Sequence, residues 1–108
     1  MIYRDFYHLM LESFSQPVEL YTESRNVPFT LYVEEQKLFV EEQKLFVRNR
    51  KDNTSRIGPK EVAAFVERFE ENGSMLAKDY QDVTFKASYL LAAMKYITLK
   101  NSLNPGNK

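Results

Sequence analysis

The chain has no cysteine and no tryptophan, a single histidine, and three glycines among 108 residues. Without cysteine there can be no disulfide, zinc ribbon, thiol nucleophile or iron–sulfur ligation. The glycines do not form a GxGxxG or Walker loop, and no HExxH or EF-hand pattern occurs. With His8 alone, a transition-metal site would have to rest on carboxylates, which suit harder ions. No apolar run reaches membrane-spanning length. The opening MIYRDFYHLMLESF carries Arg4, Asp5, His8 and Glu12 inside its apolar run, unlike a signal peptide. These absences predict a soluble, cytoplasmic, non-enzymatic chain with no cofactor, no metal and no membrane partner.

What is present suits one compact domain. Apolar residues make up 44% of the sequence, including eight Phe and seven Tyr, enough to pack helices on a sheet. The formal net charge is zero, yet it is laid out in blocks: residues 1–47 carry −4, 48–60 carry +4, 61–82 carry −4 and 83–108 carry +4. A general polyanion binder would show less balance.

Ile2, Phe6, Leu9, Met10 and Phe14 recur at helical spacing before Pro17, predicting an amphipathic helix over 2–16. VELYT, Val18 to Thr22, reads equally as a strand or a helical turn. Phe29–Val33 and Leu45–Arg50 are rich in β-branched and aromatic residues, and Asp52-Asn53 marks a turn into Thr54–Ile57. GPKEVAAFVERFEENG has Gly58 to cap, Pro59 at the first helical position, Glu61 in the first turn and Asn72-Gly73 as a left-handed stop. It predicts a helix over 59–71. A loop, SMLAKDYQDV, leads to TFKASYLLAAMKYITLKNSL, where Phe85, Leu90, Leu91, Met94, Ile97 and Leu99 cover a wide arc. That arc implies a helix packed on two sides or sharing a surface with a partner. The fold class is therefore α+β: an N-terminal helix, an antiparallel sheet of three or four strands, and two C-terminal helices on one face. Residues 1–103 form one domain and 104–108 a flexible tail.

Three groupings bear on function. His8, with Asp5 and Glu12 one turn away on either side, has the spacing of an oriented imidazole but no accompanying nucleophile; a surface histidine is the commoner outcome. The carboxylates Glu67, Glu70 and Glu71 read as a solvated helix face. Tyr3 and Tyr7, and Tyr89 and Tyr96, recur on helix faces, most simply as core packing with wet hydroxyls. The basic run RNRKDNTSR gathers Arg48, Arg50, Lys51 and Arg56 around a hairpin, with Asn49 and Asn53 as hydrogen-bonding groups. Such a hairpin can grip phosphates or an acidic protein, although exposed cations also protect a sheet edge.

The most singular feature is LYVEEQKLFVEEQKLFV, in which VEEQKLF at 33–39 recurs unchanged at 40–46. Identity at solvent-facing EEQK positions points to a recent or deliberate duplication; a chain lacking one copy would have 101 residues and a charge of +1, because each copy holds two Glu and one Lys. A meander of three-residue strands would send the chain the wrong way, and a solenoid needs more units. A lengthened hairpin keeps the outer strands in register and leaves Leu38, Phe39 and Val40 at its tip. It ranks ahead of a looped-out copy and of a helix built on the Glu34/Lys37 and Glu41/Lys44 spacings. An apolar tip seeks a partner. The expectation is thus a small interaction or accessory protein that forms a homo-oligomer through Leu38, Phe39, Val40, Leu45 and Phe46, by oligomerisation or strand exchange. Nucleic acid, or another protein, at Arg48, Arg50, Lys51 and Arg56 is the alternative.

Overall fold

The computed structural model describes residues 6–22, 25–37 and 41–103. In order they form helix α1 (Phe6–Ser13), strands β1 (Val18–Tyr21), β2 (Pro28–Lys37), β3 (Glu41–Asn49) and β4 (Thr54–Ile57), helix α2 (Pro59–Asn72), a 3-10 turn (Ala77–Tyr80) and helix α3 (Ala87–Leu103). The strands make one antiparallel sheet in the order β1-β2-β3-β4. This is the α+β arrangement expected, with VELY resolved as an edge strand.

Side chains alternate between the faces of a strand, and the alternation decides where the core lies. Phe29 and Leu31 of β2, Leu45 and Val47 of β3, and Ile57 of β4 are buried in one cluster with residues of all three helices. Among these are Phe6 and Met10 of α1, Val62 and Phe65 of α2, and Leu90, Leu91 and Ile97 of α3. All three helices therefore share one sheet face. Most of the apolar arc of α3 packs inside the chain, Leu90 to Met94 forming one buried run with Ile97 beyond it, whereas Leu99 is exposed.

Local chemistry explains where the helices begin and end. Gly73, at φ 62°, caps α2 and donates its N–H to the Phe69 carbonyl at 2.7 Å. Pro59 occupies the first turn as its ring requires. Helix α1 stops at Ser13 instead of residue 16, because the chain must turn through Phe14 to enter β1 at Val18; Ile2 lies outside the described residues. A larger correction concerns Phe85, which does not join the apolar arc but is 94% exposed ahead of α3. Thr84 is the cause. Its hydroxyl donates to the Glu61 carboxylate and accepts the Lys86 N–H at 3.0 Å, so the helix starts beyond it and Phe85 is turned outward.

The connection from α2 to α3 is fastened by a two-pronged ion pair. Arg68 of α2 donates to both carboxylate oxygens of Asp82, at 2.9 and 2.8 Å, and to the Asp79 carbonyl at 3.1 Å. Beneath it the buried Tyr80 ring packs against Phe65, and its hydroxyl donates to the Ser74 carbonyl at 2.6 Å. The hydrogen bond from Arg68 holds the Asp82 carboxyl below its ordinary value of 3.8. A depressed carboxyl stabilises the fold above that value and ceases to do so as pH falls below it. In Asp82→Asn, the urea midpoint is therefore expected to fall less than in the unaltered chain as pH is lowered from neutrality through 3.8; equal falls would show that the pair contributes nothing.

Candidate functional site

The duplicated segment lies in the β2–β3 hairpin, and its register is that of the lengthened form. Leu31 stands opposite Val47, Tyr32 opposite Phe46 and Val33 opposite Leu45. The ladder then continues with Glu34 opposite Lys44, Glu35 opposite Gln43, Gln36 opposite Glu42 and Lys37 opposite Glu41. The two EEQK spacers thus pair with each other. Read antiparallel, EEQK is its own complement: each Lys meets a Glu and each Gln meets a Glu. Opposite charges across a ladder are favourable, and no like-charged pair occurs in this stretch.

This ladder outruns its neighbours. β1 pairs with Pro28 to Leu31 and β4 with Leu45 to Arg48. Among the described residues, Tyr32–Lys37 therefore has no partner in β1, and Glu41–Lys44 none in β4. The last four pairs form a two-stranded ribbon about 13 Å long, with backbone donors and acceptors along both margins. Glu34, Glu35 and Gln43 are exposed, and the adjacent Glu34 and Glu35 point to opposite faces of β2. Apolar burial, which normally locks a register, involves none of these exposed positions, and strands of this kind are prone to alternative pairing.

The anticipated self-association residues divide sharply. Leu38, Phe39 and Val40 lie outside the described residues. Leu45 belongs to the core, fully buried. Phe46 faces away from the helices, stacked on Tyr32 with ring centroids 5.6 Å apart.

The basic hairpin is held by its asparagine. Asn49 Oδ1 accepts the N–H groups of Lys51 at 2.9 Å and Asn53 at 3.0 Å, and Asp52 takes φ 63° to complete the turn. That oxygen is committed to the fold. β3 ends at Asn49, so Arg50 is in the turn instead of alternating with Arg48 on a strand face. Arg48 lies over the Tyr32 ring, 5.6 Å from its centroid. Arg48 and Arg50 both line a depression of about 310 Å³ into which β1 brings Glu19 and the turn brings Asp52. Lys51 and Arg56 are exposed nearby but outside it. Two acids beside two arginines make this a mixed-charge site, a feature the basic run conceals because Glu19 is remote in sequence.

The remaining groupings are structural. His8 and Glu12 are exposed on α1. Tyr96 stacks on Phe14 at 5.7 Å and Tyr89 packs on Phe29 at 4.7 Å, placing both against the chain's own core. Arg68 joins the acidic face of α2 through Glu71 at 3.6 Å. Sequence reasoning missed an apolar hollow of about 240 Å³ lined by Phe69, Met75, Met94 and Leu99; Met75-Leu76 in an otherwise polar loop is its trace. No group of three or more metal-ligating side chains occurs among the described residues. Nor is any described helix long and apolar enough to cross a membrane.

Comparison with protein-family models, with curated proteins and with solved structures finds no match.

The register can be checked by charge. Lys44→Glu sets two carboxylates opposite each other at the 34–44 pair and is expected to cost about 0.5 kcal/mol in urea unfolding. Adding Glu34→Lys should recover most of that loss; failure to recover would mean that positions 34 and 44 are not opposed.

Proposed function

We propose that this chain is a small non-enzymatic interaction protein that self-associates through the β2–β3 ribbon. The observation that carries the reading is the register, in which a self-complementary ladder extends past the stretches that pair with β1 and β4. Every EEQK strand is suited to pair with any other, in the same chain or a second copy. The segment between the spacers, Leu38-Phe39-Val40, adds a motive. Leaving a large apolar side chain in water forgoes about 1.5–3 kcal/mol relative to full burial. A reducing cytoplasm suits a chain without cysteine.

Sedimentation over a wide concentration range tests the reading. The full chain should form a dimer or higher species, and a chain lacking Val40–Phe46 should remain monomeric. A strict monomer for both at high concentration overturns self-association.

One observation favours a second reading, a single-stranded nucleic acid held at Arg48, Arg50, Lys51 and Arg56. The sheet face away from the helices carries the stacked Tyr32–Phe46 pair with Arg48 above it, and β4 sets Arg56 opposite Phe46. Aromatic rings beside arginines offer bases a stacking surface and phosphates a counter-charge. Fluorescence anisotropy with a mixed-sequence DNA oligonucleotide should then give binding that weakens as salt rises and drops at least tenfold in Arg48→Ala/Arg50→Ala. No binding at low salt removes this reading.

A further inference from the structure

We infer that the depression between Glu19 and the Asn49 turn binds a small zwitterion, a ligand carrying one carboxylate and one ammonium group. The inference does not depend on self-association. With the nucleic-acid reading it shares Arg48 and Arg50, but the two differ over Glu19.

The strand register builds the site. Glu19 of β1 stands opposite Thr30 of β2, and Thr30 stands opposite Arg48 of β3. Residues opposed in neighbouring strands share a face, and the adjacent Leu31 and Val47 point to the core. Glu19, Thr30 and Arg48 therefore form one row across the face away from the helices. Strands lie about 4.8 Å apart, so the backbones of Glu19 and Arg48 are separated by about 10 Å, with the short Thr30 side chain between them. The turn after β3 adds Arg50 and Asp52, and the four charged side chains line one depression of about 310 Å³.

The charge layout selects the ligand. Among the described residues, no ion pair joins Glu19, Arg48, Arg50 or Asp52 to one another or to a further side chain. Two cations and two acids thus converge with no net charge. An anion entering the depression gains two attractions and meets two repulsions, and a cation fares the same. A zwitterion turned the right way meets an opposite charge at each end. Its carboxylate suits the guanidinium groups of Arg48 and Arg50, which donate in a fixed plane to paired oxygens. Its ammonium has three N–H donors for the Glu19 and Asp52 carboxylates and the Thr30 hydroxyl.

Most of these side chains are carried on fixed supports. Arg48 lies over the Tyr32 ring, 5.6 Å from its centroid. Arg50 and Asp52 belong to the turn that Asn49 Oδ1 ties by accepting the Lys51 and Asn53 N–H groups. Less freedom is lost on binding where partners are held in advance. Direct pairing of Glu19 with an arginine is a weak competitor, because exposed ion pairs contribute little.

Backbone amide NMR shifts test the proposal at low ionic strength, where exposed charges are least screened. L-Alanine and L-alanyl-L-alanine carry both charges, N-acetyl-L-alanine only the carboxylate, and L-alaninamide only the ammonium. At least one zwitterion should shift the amides of Glu19, Thr30, Arg48 and Arg50 and bind at least tenfold more tightly than both singly charged analogues. Alanine ahead of the dipeptide identifies a free amino acid as the ligand class, and the reverse order a peptide with free ends. Equal binding by either singly charged analogue overturns the proposal, as do shifts confined to other residues or no shift with any probe. Glu19→Gln and Arg50→Gln alter exposed positions, and each should weaken zwitterion binding at least tenfold; unchanged affinity in either overturns the proposal. Glu19→Gln also separates this site from the nucleic-acid reading, since removing an acid should strengthen oligonucleotide binding while weakening that of the zwitterion.

Discussion

Burial of one face of the sheet governs the rest of the molecule. Phe29, Leu31, Leu45, Val47 and Ile57 must point to the side on which the helices pack, and because side chains alternate, every other position in the strands follows. That requirement selects Val33 opposite Leu45 over any slip by one residue, which would put Leu31 and Val47 on opposite faces and turn one of them outward. It also determines what happens to the duplicated heptad. The pairs from Glu34–Lys44 to Lys37–Glu41 accordingly lie past the stretches that pair with β1 and β4. The ribbon is what remains when a packed core refuses an insertion that the hairpin end can accommodate.

The two ends of the sheet therefore obey different rules. At one end, side-chain identity is dictated by packing, and the Asn49 turn ties β3 to β4 with backbone hydrogen bonds. At the other end only cross-strand charge order distinguishes one pairing from another. Cross-strand interactions at this end are each weak, about 0.2–1 kcal/mol.

Much of this architecture was legible because it is written in local chemistry. Helix α2 follows from Pro59 and Asn72-Gly73, and the outer strands follow from LYV and LFV. The lengthened hairpin follows from the same pattern, since it keeps the outer strands in register. What escaped was set by contacts remote in sequence. Phe85 looks like a core residue until Thr84 is seen engaged with Glu61, and Arg68 gives no sign of gripping Asp82 across a loop. Similarly, the basic run looks uniformly cationic until β1 brings Glu19 alongside it. VELYT was undecided because four or five residues cannot separate the two periodicities; pairing with β2 settled it.

The register of β2 against β3 also carries a rule about copy number. Each further VEEQKLF would add an odd number of residues between the outer triplets, while burial of Leu31 and Val47 would keep those triplets opposed on the core face. In this chain such a step would not simply lengthen a protrusion in proportion to its size. It would also switch the number of residues between the two outer apolar triplets from even to odd or back, because each unit adds seven.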